Sequence, residues 1–135
     1  MSWDTTLPGR LLANEAIAEL IGREQGVASI DWDVRRPGAP VPALVLQIVT
    51  DSRPQNHDGF DGVWPSRVQL RTLALDRMTA TSLREAAIAA LVEPGEFEGS
   101  TFLRGYVDAV RSAGEQGETR WLFGEIIDFI LWHTN

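Results

Sequence analysis

The stretch from Trp121 to Trp132 limits what this chain can become more than any other, because read with the two-residue period of a strand it is apolar on both sides. Trp121, Phe123, Ile127, Phe129 and Leu131 fall on one face, and Leu122, Ile126, Ile130 and Trp132 on the other. A sheet carrying helices on one side should leave alternate residues polar on its other side, since a large contiguous apolar patch is costly in water. The second face of this strand therefore needs a cover. Two covers satisfy the pattern, a further layer of the same domain or a neighbouring subunit.

That strand closes a hairpin, Thr101 to Arg111 and Thr119 to His133, joined through the Gly-bearing Ser112 to Glu118. Ten extended residues span about 33 Å, so the arms are long enough to outreach the sheet behind them. Upstream, the spacing of Ala13, Ala16, Ile17, Leu20 and Ile21 predicts a helix over Leu7 to Ile21, with Asp4, Thr5 and Thr6 as N-cap oxygens, Pro8 in the first turn and Gly22 as the stop. Alternation then takes over: Ile30, Trp32 and Val34 oppose Asp31, Asp33 and Arg35 until Pro37-Gly38-Ala39-Pro40 ends the strand.

A second strand runs from Pro42 to Asp51. Leu44, Leu46 and Ile48 share one face and Val45 and Val49 make the other apolar too, which marks it as central or covered by a partner. A third, Ser66 to Leu75, sets Val68, Leu70, Thr72 and Ala74 against Arg67, Gln69, Arg71 and Leu73. Leu83, Ala86, Ala87, Ala90 and Leu91 then make a helical stripe, capped at Thr79 or at Ser82 with Glu85, and closed near Val92 by Pro94-Gly95. The fold these pieces predict is α+β: an antiparallel β-sheet of about four to five strands with two helices packed on one face and a long C-terminal β-hairpin, one domain over residues 1–135.

Size permits such a domain. A chain of 135 residues buries about 68% of the surface its unfolded form exposes, enough for a core without staples. No cysteine is present, which removes disulfides, thiolate zinc sites, iron–sulfur clusters and cysteine nucleophiles together and fits a reducing compartment. Neither a signal-peptide pattern at Met1-Ser2-Trp3-Asp4 nor an apolar run near the roughly 18 residues of a membrane span occurs, so the cytoplasm is the expected place of synthesis and no membrane partner is expected. The formal charge is −7, all 12 basic residues are arginine, and no Lys/Arg cluster offers the counterion release that dominates nucleic-acid affinity.

Asp51 to Pro65, DSRPQNHDGFDGVWP, is the longest loop and the leading contact segment, since long structureless stretches of compact domains tend to be functional or disordered. Within it His57, Asp58 and Asp61 bring an imidazole and two carboxylates close in sequence. Their spacing fits neither an EF-hand loop nor a helical H-E-x-x-H pair, and Asp and Gly are what a plain turn uses, so the turn outweighs a metal or acid–base cluster. Trp64 stands out in that polar loop, as a docking anchor or as a pin for the loop itself. His133, close to the chain end, reads as part of a frayed terminus. There is no G-x-S-x-G elbow, no Walker motif or lysine to complete one, and no G-x-G-x-x-G, so no catalytic, cofactor or metal site is expected.

Leu11-Leu12-Ala13 through Leu20-Ile21-Gly22, then Pro42-Ala43-Leu44-Val45-Leu46-Gln47, come first. Arg67-Val68-Gln69-Leu70-Arg71 before Leu83-Arg84-Glu85-Ala86-Ala87, and the closing Asp128-Phe129-Ile130-Leu131-Trp132, complete an order that resembles the tail-completion or tail-terminator proteins of long-tailed, siphovirus-like phages and of gene transfer agents. The resemblance spans nearly the whole chain. It departs at Arg71-Thr72-Leu73, where relatives often place an acidic residue and a tryptophan, and in the length of the Asp51 to Pro65 loop.

The resemblance implies a non-enzymatic structural protein of the virion, without cofactors. Its copies would assemble in the host cytoplasm as a homo-oligomeric ring, commonly a hexamer, that caps the tail tube, ends its polymerisation and joins it to the head connector or stopper protein. DNA would pass through the lumen without specific binding, because a lumen built from copies of a −7 chain repels a duplex, whereas Arg10, Arg53 and Arg67 lining it would not. The expected contact residues are Arg53, His57, Phe60 and Trp64 of the loop, Arg67 and Arg71 of the third strand, and Trp121, Phe123, Ile126 and Ile130 of the hairpin. A head–tail connector or stopper ring is the alternative of the same class. A small ligand-binding or enzyme domain using His57, Asp58 and Asp61 is the alternative outside it.

Overall fold

Residues 3–51, 55–56, 59–60 and 62–134 are described by the structure, a computed structural model. Strands β1 (Ile30–Trp32), β2 (Ala43–Asp51), β3 (Trp64–Ala74), β4 (Gly95–Phe97), β5 (Ser100–Phe102), β6 (Tyr106–Ser112), β7 (Glu115–Gln116) and β8 (Trp121–His133) form one sheet. The path across it is β1-β2-β3-β8-β5-β4, with β6 and β7 also paired to β8. β8 is therefore central: β3 runs along one edge from Phe123 to His133, and β7, β6 and β5 share the other.

The sheet holds more strands than predicted because the first arm of the hairpin is broken. Its start, Ser100–Phe102, pairs back onto Gly95–Phe97 across a turn in which Glu98 and Gly99 have φ of 48° and 88°. Only Tyr106–Ser112 then follows β8, with a bulge between Val107 and Ala109. The expectation of a wholly antiparallel sheet is corrected at one edge, where β1 runs parallel to β2. Residues 33–42 turn the chain back before β2, with Asp33 and Gly38 at φ of 67° and 74°. Val34, expected in the first strand, lies beyond it and is exposed.

Among the described residues there are three helices where two were expected. The predicted Leu7 to Ile21 helix is split into α1 (Trp3–Leu12) and α2 (Glu15–Leu20). Asn14 makes the break, since its side chain accepts from the Ile17 amide at 3.1 Å and so starts a new helix. Pro8 accordingly lies inside α1 and not in its first turn.

The third helix, α3 (Arg77–Val92), is capped by Asp76 and not by Thr79 or Ser82. Asp76 accepts from the Thr79 amide at 2.8 Å and from the Thr79 hydroxyl at 2.9 Å. Those bonds, the amide first, hold the Asp76 carboxyl below the usual carboxylate range. Because the folded-state value is the depressed one, the cap contributes stability above the ordinary carboxyl pKa and loses it as pH falls through the depressed value. Asp76→Ala should lower the melting temperature by a few degrees at neutral pH, and the gap from the parent should close in acid. A thermal melt at both pH values checks it.

All three helices cover one face of the sheet. Leu44 and Leu46 of β2, Val68 and Leu70 of β3, and Ile127, Phe129 and Leu131 of β8 meet Leu7 and Leu11 of α1, Ile17 of α2, and Leu83, Ala87 and Leu91 of α3. The small Ala80, Ala86 and Ala87 bring α3 close enough for the Thr72 hydroxyl of β3 to donate to the Ala80 carbonyl at 3.2 Å. At about 1.5–3 kcal/mol per fully buried large apolar side chain, this layer is the main stabilising term.

Candidate assembly interface

Among the described residues, no helix lies on the opposite face of the sheet. There the register sets Ile126 of β8 opposite Arg71 of β3, Asp128 opposite Gln69, Ile130 opposite Arg67 and Trp132 opposite Pro65. On its other edge β6 places Arg111 opposite Ile126 and Tyr106 opposite Ile130. Arg67, Arg71, Ile126 and Ile130, named from sequence as contact residues, are thus brought together on one surface.

The three arginines of that surface are each answered within the protomer. Arg67 donates to Asp108 at 2.8 Å, Arg71 to Glu115 at 3.0 Å and Arg111 to Asp128 at 3.1 Å. The hydrogen bond to Asp108, with its charge, raises the Arg67 pKa further. Exposed pairs of this kind contribute little to stability. They do neutralise the face, leaving an open surface on which Ile126 and Ile130 are half-buried and Trp132 is 38% exposed.

At one end the hairpin runs past the helices. Leu122 folds inward onto Ala43, Val45 and Leu73, a second small core. Trp121 and Phe123 turn the other way and stay 49% and 39% exposed. The Trp121 ring is seated on Gly114, where a Cβ would come within 2.6 Å of its Cζ2 atom. β6 is exposed along its whole length, Tyr106 by 53%, and no strand among the described residues pairs with its outer edge. Such an edge is a template for pairing with another chain. Sequence reasoning did not single out Tyr106, Asp108, Arg111 and Glu115, which complete this surface.

Two expectations are corrected. Trp64 is no outward anchor: it opens β3, is only 5% exposed, and donates Nε1–H to Asp51 Oδ1 at 2.9 Å. Nor is His133 frayed. It is fully buried as the last residue of β8, stacked on Trp3 at 4.1 Å. In the loop, Gln55–Asn56 pairs antiparallel with Gly59–Phe60. Arg53, His57, Asp58 and Asp61, and the side chain of Phe60, lie outside the described residues. Among those described, no group of three His, Cys, Asp or Glu could hold a metal ion, and no helix is long and apolar enough to cross a membrane.

No family model and no curated protein matches this chain. Among solved structures, the chain superposes on a component of the virion of a native gene transfer agent (GTA) particle with a TM-score of 0.59 and 16% identity, covering 99% of this chain and 96% of that one. A crystal structure from Akkermansia muciniphila is 19% identical over 66% of this chain and 42% of its own, with a TM-score of 0.33. The first of these shows a shared fold from end to end.

Proposed function

We propose that this chain is a tail terminator: a structural virion protein whose copies form a ring, hexameric on the resemblance set out above, that caps the tail tube, stops its polymerisation and joins it to the head connector or stopper protein at the tail–head junction. The observation that carries the reading is β8. One of its sides is closed by the chain's own helices, and the other, with Ile126, Ile130 and Trp132, is left for something outside the protomer. The fold shared with a virion component supports the same class.

Such a protein works by geometry and not by chemistry. Arg67, Arg71, Trp121, Phe123, Ile126 and Ile130 are the proposed contacts between copies and with the tube, and Arg53, His57 and Phe60 extend the set into the loop. Trp64 leaves it, being part of the core. An acidic lumen is supported by Arg10 and Arg67: Arg10 lies over the Phe102 ring and donates to the Glu93 carbonyl, and Arg67 is held by Asp108.

Deletion of the gene should leave tails of irregular length in electron micrographs. Tails of normal, sharply defined length would overturn the terminator role. If those tails were also detached from heads, the connector or stopper reading would take its place.

A further inference from the structure

β6 lacks two kinds of neighbour at once. No strand among the described residues pairs with its outer side. On the helix side, Val107 opposes Phe129 of β8 and Val110 opposes Ile127, yet the two valines stay 37% and 42% exposed. The reason is width. Strands lie about 4.8 Å apart and packed helices about 10 Å, so helices laid two abreast cover about four strands. α3 packs on β8 and β3 with α1 and α2 beside it, which leaves β6 at the margin of the helix layer.

An open edge is normally guarded by charges, by proline or by a bulge. β6 contains neither proline nor lysine. Its two charged side chains are drawn inward over the sheet, Asp108 to Arg67 of β3 at 2.8 Å and Arg111 to Asp128 of β8 at 3.1 Å. That leaves the bulge between Val107 and Ala109, which sets the faces of the strand. Tyr106, Ala109 and Arg111 oppose Ile130, Asp128 and Ile126 on the open face, and Asp108 joins them there through Arg67. Val107 and Val110 belong to the helix side.

Antiparallel strands set residues of one face opposite one another. For β6 against the β6 of a second copy, a single register does this for every residue from Tyr106 to Arg111. It places Tyr106 against Arg111, Val107 against Val110 and Asp108 against Ala109, each pair occurring twice about a two-fold axis. Every other register sets a helix-side residue against an open-face one, or pairs only a short end of the strand. The chemistry agrees with the register. Valines meet valines on the helix side, a tyrosine ring meets a guanidinium on the open face, and each bulge faces the other. Such self-complementarity is what a two-fold interface requires. The opposite edge of the sheet is a poorer partner, because β1 is only three residues long. Its surroundings are also tied up, with Val34 N–H donating to the Trp32 carbonyl at 2.7 Å and Arg36 Nη2 to the Ala28 carbonyl at 2.9 Å.

We infer that β6 is a self-pairing edge: in the free protein two copies join β6 to β6 in this register and continue the sheet across a two-fold axis. The pair closes on itself and covers an edge that would otherwise template open-ended association. It is distinct from the contacts on the open face and stands whether or not those build a ring.

An edge this short buries less than the roughly 1,200 Å² of a stable complex, so the pair is weak, half-formed at about 100 µM. Sedimentation of the full chain should show its mass rising from one copy at about 10 µM toward two at about 1 mM. Val110→Lys, a guard of the kind β6 lacks, should weaken the pair at least about tenfold, and Val34→Lys, an exposed position off this edge, should leave it unchanged. Disulfide trapping reads the register, because the chain has no cysteine of its own. Val107→Cys combined with Val110→Cys should give a covalent two-copy species on mild oxidation. Each single substitution should not, since like positions lie about 11 Å apart across the axis, beyond disulfide reach. A parent chain that remains one copy at about 1 mM overturns the inference. So does a pair that survives Val110→Lys, or single cysteines that cross-link as readily as the double variant.

Discussion

Gly124→Ala should cost the folded protein about 3 kcal/mol, at the upper end of what overpacking by one carbon does. Gly124 sits in β8 where the strand is pinched between two backbones. A Cβ there would lie 2.3 Å from the Ala113 carbonyl oxygen and 2.5 Å from that of Thr72 in β3. Neither can swing aside as a side chain would. Moving Thr72 breaks the ladder in which it opposes Glu125, and moving Ala113 breaks the 2.9 Å hydrogen bond that its N–H donates to the Gly124 carbonyl. Gly95→Ala is the matching control, since a Cβ at Gly95 meets nothing within 4 Å. It should stay within about 0.5 kcal/mol of the parent. Urea midpoints of the two variants test the contrast, and equal midpoints would show that the backbone around Gly124 yields.

The pinch also explains why part of this molecule was legible in its sequence and part was not. A two-residue period is local, so β2, β3 and both faces of β8 could be read from side-chain type alone. The same parity, carried one step further, puts His133 with Ile127, Phe129 and Leu131, and Trp64 with Val68 and Leu70, on the helix side. Both read as loop or terminus because polar neighbours and chain position outweigh parity. The helix break at Asn14 and the cap at Asp76 were obscured by competition: Thr79 and Ser82 are equally good caps until tertiary packing selects where the helix begins.

Register is a different matter. Arg67, Arg71, Ile126 and Ile130 each carried a signal, but nothing local says that Ile130 lies beside Arg67 or Ile126 beside Arg71. The partners Asp108 and Glu115 were hidden for a further reason. A bulge after Val107 shifts the parity of β6, so alternation counted from Tyr106 misplaces everything beyond it.

Arg84→Met is expected to lower stability by about 3 kcal/mol, and Arg84→Met combined with Glu125→Met to return most of that loss. Glu125 is a carboxylate on the helix-facing side of β8, 3% exposed. Arg84 of α3 reaches it at 3.3 Å, and the Ser112 hydroxyl at 3.3 Å is its other side-chain donor. Removing the guanidinium would leave a charge already stripped of water with one neutral donor, the case in which breaking a buried pair costs most. Removing both partners leaves two apolar chains of suitable length between β8 and α3, and no stranded charge. The pair Arg84 makes with Glu85 at 2.7 Å does not alter this balance, because the Glu85 side chain is 62% exposed. A double-mutant cycle in urea isolates the coupling between Arg84 and Glu125. A single substitution costing under about 0.5 kcal/mol would mean that water reaches Glu125 through the cleft it shares with Trp121 and Phe123. A neighbouring subunit laid over those two aromatics would close that route, so the cost of Arg84→Met should be greater in the assembled protein than in the isolated chain.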